Sequence, residues 1–271
     1  MGRQLSKAAL DLYHREGYLF PRRVMSETEA AACKARLDDH IDRFGDDARG
    51  NGLMAKRPHL ILRWVADLAR NPAIVDAVED IIGPDILCWS SSIFNKEAGS
   101  SRFVSWHQDA NYWGLSSSSV VTAWIALTPA TRENGCMRFL PGSHRTELTH
   151  VDITDSDNML FRGQTITDDM DPDATTDVVL SAGEFALFHV NMAHSSLPNG
   201  SSEDRTGLVF RYVAGDVYQT KADFDSATLI RGEDRTGRFE HEPMPSADLD
   251  PAALAFHERV CGARKKVYFS G

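Results

Sequence analysis

The stretch that decides the fold is WHQDANYW, residues 106–113, followed by the apolar run VVTAWIAL, residues 120–127. Alternate residues of a β-strand point to the same side, so a strand through this stretch would place His107 and Asp109 together. A His-x-Asp pair with one distant histidine is the ligand set of the 2-His-1-carboxylate triad, which holds Fe(II) on one face and leaves the other open. The stretch therefore predicts half of an iron site on a β-structure.

Two histidines can supply the third ligand. His189 directly follows the apolar run FALF, where a packed strand residue is the ordinary interpretation. His194 comes after the end of that run and precedes Ser195 and Ser196, a better position to face a cavity. We therefore favour His194 as the third ligand.

An arginine further along the chain extends the pattern. The co-substrate 2-oxoglutarate carries a terminal carboxylate, and a guanidinium binds such a group with two parallel hydrogen bonds. Arg205, which lies shortly before an apolar run, can supply that guanidinium. Arg211 is the alternative, although a charge on the exposed side of a strand would explain it equally well.

Short apolar runs bounded by Gly, Pro, Ser and Asn predict strands. They cover residues 86–94, 120–127, 136–140, 184–190 and 207–214. Their spacing and the tight turns between them fit a two-sheet antiparallel barrel better than a parallel sheet alternating with helices. We expect one domain over residues 1–271, with a helical part over 1–84, the barrel over 85–215 and a C-terminal extension over 216–271.

The segments outside the barrel carry helix signals and two long loops. Residues 1–16 read as an amphipathic helix, Ser26 and Glu29 form a capping box, and a helix is expected from Asn71-Pro72 to Gly83. A last helix is expected around residues 251–260. Residues 45–57 look like an exposed loop. Residues 146–177 form a long acidic insertion, and loops of that length often act as lids.

Composition excludes several classes of function. The 271-residue chain has a net charge of −10 and a pI near 5.4, which argues against a nucleic-acid partner. Its four cysteines have no paired spacing, which is typical of reduced thiols in the cytoplasm. No apolar run is long enough to span a bilayer. We expect a cytoplasmic protein whose partner is a small molecule, with no membrane partner.

These residues resemble the phytanoyl-CoA dioxygenase family. The resemblance covers roughly residues 5–212, and its motifs are specific in combination. They are WHQDANYW (106–113), TAWIAL (122–127), GCMRFLPGSH (135–144), HSS (194–196) with NGS (199–201), and Arg205. The resemblance implies a mainly β fold with flanking helices, the double-stranded β-helix, which is a jelly-roll or cupin-like barrel.

The resemblance also implies the chemistry. His107, Asp109 and His194 would bind Fe(II), and 2-oxoglutarate would be held by a second set: Arg205, Ser196, Asn95 and Trp124. With O2 as oxidant, 2-oxoglutarate would become succinate and carbon dioxide while an unactivated C–H bond is hydroxylated. Halogenating relatives have a small residue at the carboxylate position, so the retained Asp109 implies hydroxylation.

The substrate is less well defined by the sequence. Tyr112 and Trp113 follow the metal pair and would offer aromatic faces for stacking or for a quaternary ammonium group, although barrel packing explains them equally well. Lys56 and Arg57 could hold a phosphonate or carboxylate, or simply belong to a solvated loop. The absence of a basic cluster disfavours a large acyl-CoA. The chain most resembles bacterial hydroxylases of 2-aminoethylphosphonate or its N-trimethyl derivative.

Other functions stay open at this point. The substrate could be an amino acid, a betaine or ectoine-like metabolite, or an acyl-CoA. A cupin-like metalloenzyme could use the same triad without 2-oxoglutarate. A barrel that only binds a small ligand or a metal ion is a third, non-enzymatic class.

Overall fold

The computed structural model describes residues 4–49 and 52–268, which form a mainly β structure with helices around it. The strands, in chain order, are β1 Tyr18–Arg23, β2 Ile86–Lys96, β3 Val104–His107, β4 Val120–Ala126, β5 Met137–Phe139, β6 His150–Asp152, β7 Gln164–Ile166, β8 Thr176–Val178, β9 Glu184–His189, β10 His194–Ser196, β11 Arg205–Ala214, β12 Ser226–Arg231 and β13 Glu240–His241. The helices are α1 Lys7–Glu16, α2 Glu27–Phe44, α3 Arg63–Leu68, α4 Pro72–Ile82, α5 Ala110–Trp113 and α6 Pro251–Tyr268.

Two sheets face each other. The larger has the strand order β1-β9-β4-β11-β2-β12-β13 and the smaller the order β3-β10-β5-β8, while β6 and β7 form a separate hairpin. Neighbours within both sheets are antiparallel except for β12 and β13. Trp124, Phe188 and Val209 of the larger sheet pack in one cluster with Met137 and Phe139 of the smaller. A cavity opens between the sheets next to this cluster.

Strand β4 shows why its sequence is apolar throughout. All seven of its residues are buried, because both faces of the larger sheet are covered. Thr122 and Trp124 point to the cavity between the sheets, whereas Ala123 and Ile125 join the cluster on the opposite face. That alternation follows from the period of two along a strand.

The helices cover the outer face of the larger sheet. Leu37 and Ile41 of α2 and Ile74 and Val78 of α4 belong to the same buried cluster as the outward side chains of the sheet. The predicted capping box is confirmed, since the Ser26 hydroxyl accepts from the Glu29 amide at 3.2 Å and the Glu29 carboxylate accepts from the Ser26 amide at 2.8 Å. Within the described ranges, no helix combines the length and the apolar character needed to cross a membrane.

The structure also contains elements that the sequence pattern did not predict. Strand β1 contains Pro21 and two arginines, which suits its position at the edge of the larger sheet. The 146–177 insertion is not structureless, because it contains the β6–β7 hairpin and the start of β8. The first helix begins at Lys7, and residues 1–3 of its predicted range lie outside the described residues.

Candidate metal centre and adjoining cleft

The three predicted ligands lie together in the cavity between the sheets. His107 ends β3 and His194 begins β10, and these antiparallel strands place the two residues directly opposite each other. The potential ligand atoms of His107, Asp109 and His194 all lie within 4.8 Å of one another. This is the arrangement of a His-Asp-His metal site, and it agrees with the choice of His194 over His189. The ring of His189 instead lies against that of His144 at a tilted angle, with ring centroids 5.3 Å apart.

Asp109 reaches the site by a different route from the one expected. Strand β3 ends at His107, and Asp109 has helical dihedral angles (φ −62°, ψ −37°) just before α5. The turn, not strand alternation, brings the Asp109 Oδ1 to 3.4 Å from the His107 Nε2. The strand explanation for the His-x-Asp spacing was therefore wrong, although the two side chains do meet.

The backbone fixes the orientation of both imidazoles. The Nδ1 of His107 lies 2.9 Å from the Ser105 carbonyl, and the Nδ1 of His194 lies 2.9 Å from the Met192 carbonyl. A ring nitrogen that bonds a carbonyl carries the proton, so each Nε2 keeps its lone pair for a metal. The structure thus presents two imidazole nitrogens towards one point.

Electrostatics keep these groups in the state that binds a cation. Burial, followed by the charge of His107, lowers the pKa of His194 to about 4, so its imidazole is neutral at physiological pH. Burial alone would raise the pKa of Asp109, but its contact with His107 and the nearby positive charges outweigh burial and lower that pKa. Two neutral imidazoles and one carboxylate are the donor set that suits Fe(II).

Arg205 supplies a buried cation to the same cavity. It is 1% exposed, and its Nε and Nη1 have no hydrogen-bond partner. Its guanidinium carbon lies 5.3 Å from the ring centre of Trp124. Trp124 packs against Gly207, where a Cβ would come within 2.2 Å of the indole. Burial lowers the pKa of Arg205 to about 10, so it remains charged, and a carboxylate is the group that these unpartnered atoms fit.

Ser196 and Asn95 were both expected near this carboxylate site, and only Ser196 lies there. Ser196 lines the cavity, and its hydroxyl is 2.7 Å from the Nζ of Lys96. Asn95 lines a separate hollow, where its side-chain oxygen accepts from the Thr206 hydroxyl at 2.6 Å. Because Phe94 faces the cavity, alternation along β2 turns Lys96, and not Asn95, towards it. The sequence alone does not show that Phe94 faces the cavity, so it carried no signal that would have identified Lys96.

A larger cleft of about 380 Å³ adjoins the metal cavity. Arg211 borders both spaces, donates to the Ser92 hydroxyl at 3.0 Å and lies 5.0 Å from the ring centre of Trp113. Trp113, Tyr112 and Lys56, predicted as substrate contacts, all line this cleft. Basic and aromatic side chains therefore meet beside the metal site. The aromatic members also include Trp89, whose ring lies 5.2 Å from that of Trp113.

The acidic insertion, residues 146–177, forms part of the wall of the metal cavity and part of the wall of the cleft. Leu160 lines the metal cavity, while Phe161 and Arg162 line the cleft. Gln108, between the two metal ligands, anchors the base of the insertion. Its amide nitrogen donates to the Thr146 carbonyl at 2.8 Å, and its amide oxygen accepts from the Leu148 backbone at 2.9 Å. The insertion, whose length is typical of lids, is thus tied to the metal-binding segment.

Arg57, predicted as a substrate contact, is buried and ion-paired in the structure. It borders the cleft but is only 2% exposed, and its guanidinium pairs with Glu242 and donates to the Ser226 hydroxyl at 2.9 Å. Glu242 also lies 3.0 Å from the His59 Nε2. We therefore assign Arg57 to a buried ion-pair network that joins the 52–60 segment to β12 and β13. Sequence gave no local signal for it, since the partners are far apart in the chain.

Glu242→Gln is expected to lower the free energy of unfolding by about 2 kcal/mol at neutral pH. Breaking a buried ion pair usually costs about 3–5 kcal/mol, and here Asp225, 3.7 Å from Arg57, still compensates part of the charge. Burial would raise the pKa of Glu242, but Arg57 and His59 lower it to about 2. The contribution is therefore present above the ordinary carboxyl pKa and lost as the pH falls towards about 2. Urea unfolding of both proteins across this range measures it.

Glu240→Gln is the matched control, because Glu240 lies two residues before Glu242 but is exposed and pairs with Arg259. It is expected to change the unfolding free energy by less than about 1 kcal/mol. Equal stability of wild type and Glu242→Gln at neutral pH would contradict the network's role.

Comparisons with known proteins agree with this geometry. The model of the family described as "Phytanoyl-CoA dioxygenase (PhyH)" matches residues 13–207. A "Probable alpha-ketoglutarate-dependent hypophosphite dioxygenase" of Stutzerimonas stutzeri is 29% identical over 165 residues, 60% of this chain and 57% of that protein. The chain spans about half the length of the first curated relatives that it matches.

Solved structures cover the chain more completely. The apo structure of the "non-heme monooxygenase" ThoJ superposes with a TM-score of 0.84 at 33% identity and covers 97% of this chain and 98% of ThoJ. "CytC3 with Fe(II) and alpha-ketoglutarate" superposes with a TM-score of 0.65 at 24% identity, covering 89% and 94% of the two chains. At that identity, the likeness to CytC3 shows the fold alone.

Proposed function

The chain belongs to the phytanoyl-CoA dioxygenase family, and we propose that it is an Fe(II)- and 2-oxoglutarate-dependent dioxygenase that hydroxylates an unactivated C–H bond of a small polar molecule. The observation that carries this proposal is that the His107, Asp109 and His194 site shares its cavity with the buried guanidinium of Arg205, whose Nε and Nη1 have no hydrogen-bond partner. When bound, iron and 2-oxoglutarate supply the activation of O2, with succinate and carbon dioxide as by-products.

The protein's own residues bind and orient the reactants. The two imidazoles and the Asp109 carboxylate hold the metal on one side, so the other side stays open to the co-substrate and O2. Arg205, with the Ser196 hydroxyl beside it, is suited to the distal carboxylate of 2-oxoglutarate. Trp124 and Phe188 give this part of the cavity apolar walls that keep water out.

The cleft supports a substrate that carries an anionic group. Its lining includes the cationic side chains of Lys56 and Arg211 beside the aromatic faces of Trp89, Tyr112 and Trp113. An anion would bind the cationic side, and an ammonium or trimethylammonium group would bind the aromatic faces. We therefore propose a 2-aminoethylphosphonate-type substrate, such as 2-(trimethylammonio)ethylphosphonate. The relative named for hypophosphite is consistent with a phosphorus oxyanion.

We also propose a domain organisation and a cellular compartment for the protein. We propose that residues 1–271 act as one oxygenase domain, in which the two facing sheets are the double-stranded β-helix. The acidic composition and unpaired cysteines support a cytoplasmic enzyme without a nucleic-acid or membrane partner.

A succinate-release screen tests the function. The protein is incubated with Fe(II), 2-oxoglutarate and O2, together with phosphonates, betaines, ectoine, amino acids or acyl-CoAs in turn. We expect 2-oxoglutarate-dependent succinate, stimulated most by one of the phosphonates, and a hydroxylated product by mass spectrometry. Stimulation by another class would replace the phosphonate and keep the reaction. Metal binding without succinate in any mixture would overturn the dioxygenase proposal and favour a metal-binding barrel.

A further inference from the structure

Lys96, the last residue of β2, is a buried lysine with neutral partners. Its side chain is 0% exposed, and its Nζ donates to the Ser196 hydroxyl at 2.7 Å and to the Leu197 carbonyl. Among residues 4–49 and 52–268, no carboxylate forms an ion pair with it. Burying a charged ammonium is costly unless an anion compensates it. The part of the chain that the structure describes therefore gives this amine no counter-charge.

A buried cation, the guanidinium of Arg205, lies directly opposite Lys96. In the pairing of β2 with β11, Lys96 stands across from Arg205, whose Nε and Nη1 also have no partner. Burial, and then the charge of Arg205, lowers the pKa of Lys96 to about 6. At neutral pH the amine is therefore mostly uncharged while no anion is bound. Two such groups with no protein anion between them are suited to receive a ligand with negative charge.

We propose that Lys96 is a positioning residue of the distal carboxylate site, holding the Ser196 hydroxyl and becoming a second positive charge when a carboxylate pairs with Arg205. This inference rests on the proposed function. The carboxylate neutralises the charge of Arg205 and attracts an ammonium, so the amine of Lys96 takes up one proton from solvent. The donated hydrogen bond to Ser196 then leaves the serine's own proton directed to the cavity, which Ser196 lines.

The groups around Lys96 fit this assignment. Arg205 faces it from β11 and Ser196 from β10. The Cys136 thiol, just before β5, is a further titratable group that acts electrostatically on Lys96. Burial, followed by the charge of Asp177, raises the pKa of Cys136 to about 11, so the thiol is neutral in the physiological range. Glu97, the next residue in the chain, pairs with Arg49 instead. Lys96 is therefore the group near Arg205 whose protonation can follow the arrival of a carboxylate.

Linkage gives the direction of the effect. Binding raises the pKa of Lys96, so affinity for 2-oxoglutarate is greatest at low pH and falls as the pH rises between the free and the bound pKa. In that range the Kd is expected to rise by about tenfold per pH unit. Lys96→Met removes the titrating group, so its Kd is expected to be larger than that of wild type at low pH and nearly independent of pH.

Anaerobic calorimetry measures this without turnover. 2-Oxoglutarate is titrated into the Fe(II)-loaded protein from about pH 6 to about pH 8, in pairs of buffers that differ in ionisation enthalpy. The buffer dependence of the heat gives the number of protons taken up. We expect up to one proton for wild type and none for Lys96→Met or Lys96→Gln. Lys7→Met is the matched control, because that lysine is 86% exposed and pairs with Asp11.

The outcomes distinguish a failure of the role proposed for Lys96 from a failure of the proposed function. Wild type that binds 2-oxoglutarate with no proton uptake overturns the role of Lys96 even if no variant folds. The same holds if wild type and Lys96→Met share one proton number and one pH profile. Absence of 2-oxoglutarate binding by the Fe(II)-loaded wild type at every pH would instead overturn the proposed function.

Discussion

Asp109→Ala is expected to weaken Fe(II) binding by more than about 100-fold and to abolish succinate formation. Removing a group that only orients a metal ligand already costs about 10–100-fold in affinity. Asp109 supplies the anionic oxygen of the triad, and its low pKa keeps that oxygen charged. Anaerobic calorimetric titration with Fe(II) measures the affinity, and succinate release measures the reaction.

One further variant separates the charge of Asp109 from its shape, and a second serves as a control. Asp109→Asn keeps the size of the side chain but removes its charge, and we expect it to lose most of the Fe(II) affinity as well. Glu258→Ala removes an exposed carboxylate of α6 and should change neither quantity. Thermal unfolding without metal checks that each variant is folded. A folded Asp109→Ala protein that binds Fe(II) within about tenfold of wild type would show that Asp109 is not a ligand.

The central strands of the larger sheet could be predicted because burial on both faces makes them apolar runs. The predicted strand over 120–127 matches β4, and the one over 184–190 matches β9, to within a residue. Local signals also placed the start of α2 and the whole of α4. Strand β1 escaped prediction because edge pairing with β9, and not its own composition, makes it a strand.

Some residues of the candidate site could likewise be predicted from the sequence, and others could not. The chemistry of the metal and carboxylate sites follows from residue types, so the pattern could be recognised from the sequence. Its members are His107, Asp109, His194 and Arg205. Asn95 was chosen in place of Lys96 because a one-residue step along a strand reverses the face, and no local signal fixed the face of β2. The buried ion pair of Arg57 could not be predicted, because its partner Glu242 is distant in the sequence and becomes its neighbour only in the fold.

Arg205→Met is expected to raise the Kd of 2-oxoglutarate by about 30- to 5000-fold, since removing one partner of a buried charge pair costs about 2–5 kcal/mol. The variant should be as stable as wild type, or more stable, when no co-substrate is present. In that state the buried guanidinium has polar atoms without partners, and methionine removes this cost. Thermal unfolding with and without 2-oxoglutarate, on the Fe(II)-loaded protein, measures both effects.

We expect weaker 2-oxoglutarate binding with no loss of stability in its absence, a pair of results that an arginine with only a structural role would not produce. Wild type should gain Tm as 2-oxoglutarate is added, and Arg205→Met should not, because only binding to the folded state raises Tm. Arg132→Met is the matched control, since its side chain is 80% exposed and pairs with Asp177. If Arg205→Met bound 2-oxoglutarate like wild type, another residue would hold the distal carboxylate, with Arg211 the first to test. If activity persisted in wild type without 2-oxoglutarate, the enzyme would be a cupin-like oxygenase that uses the same triad alone.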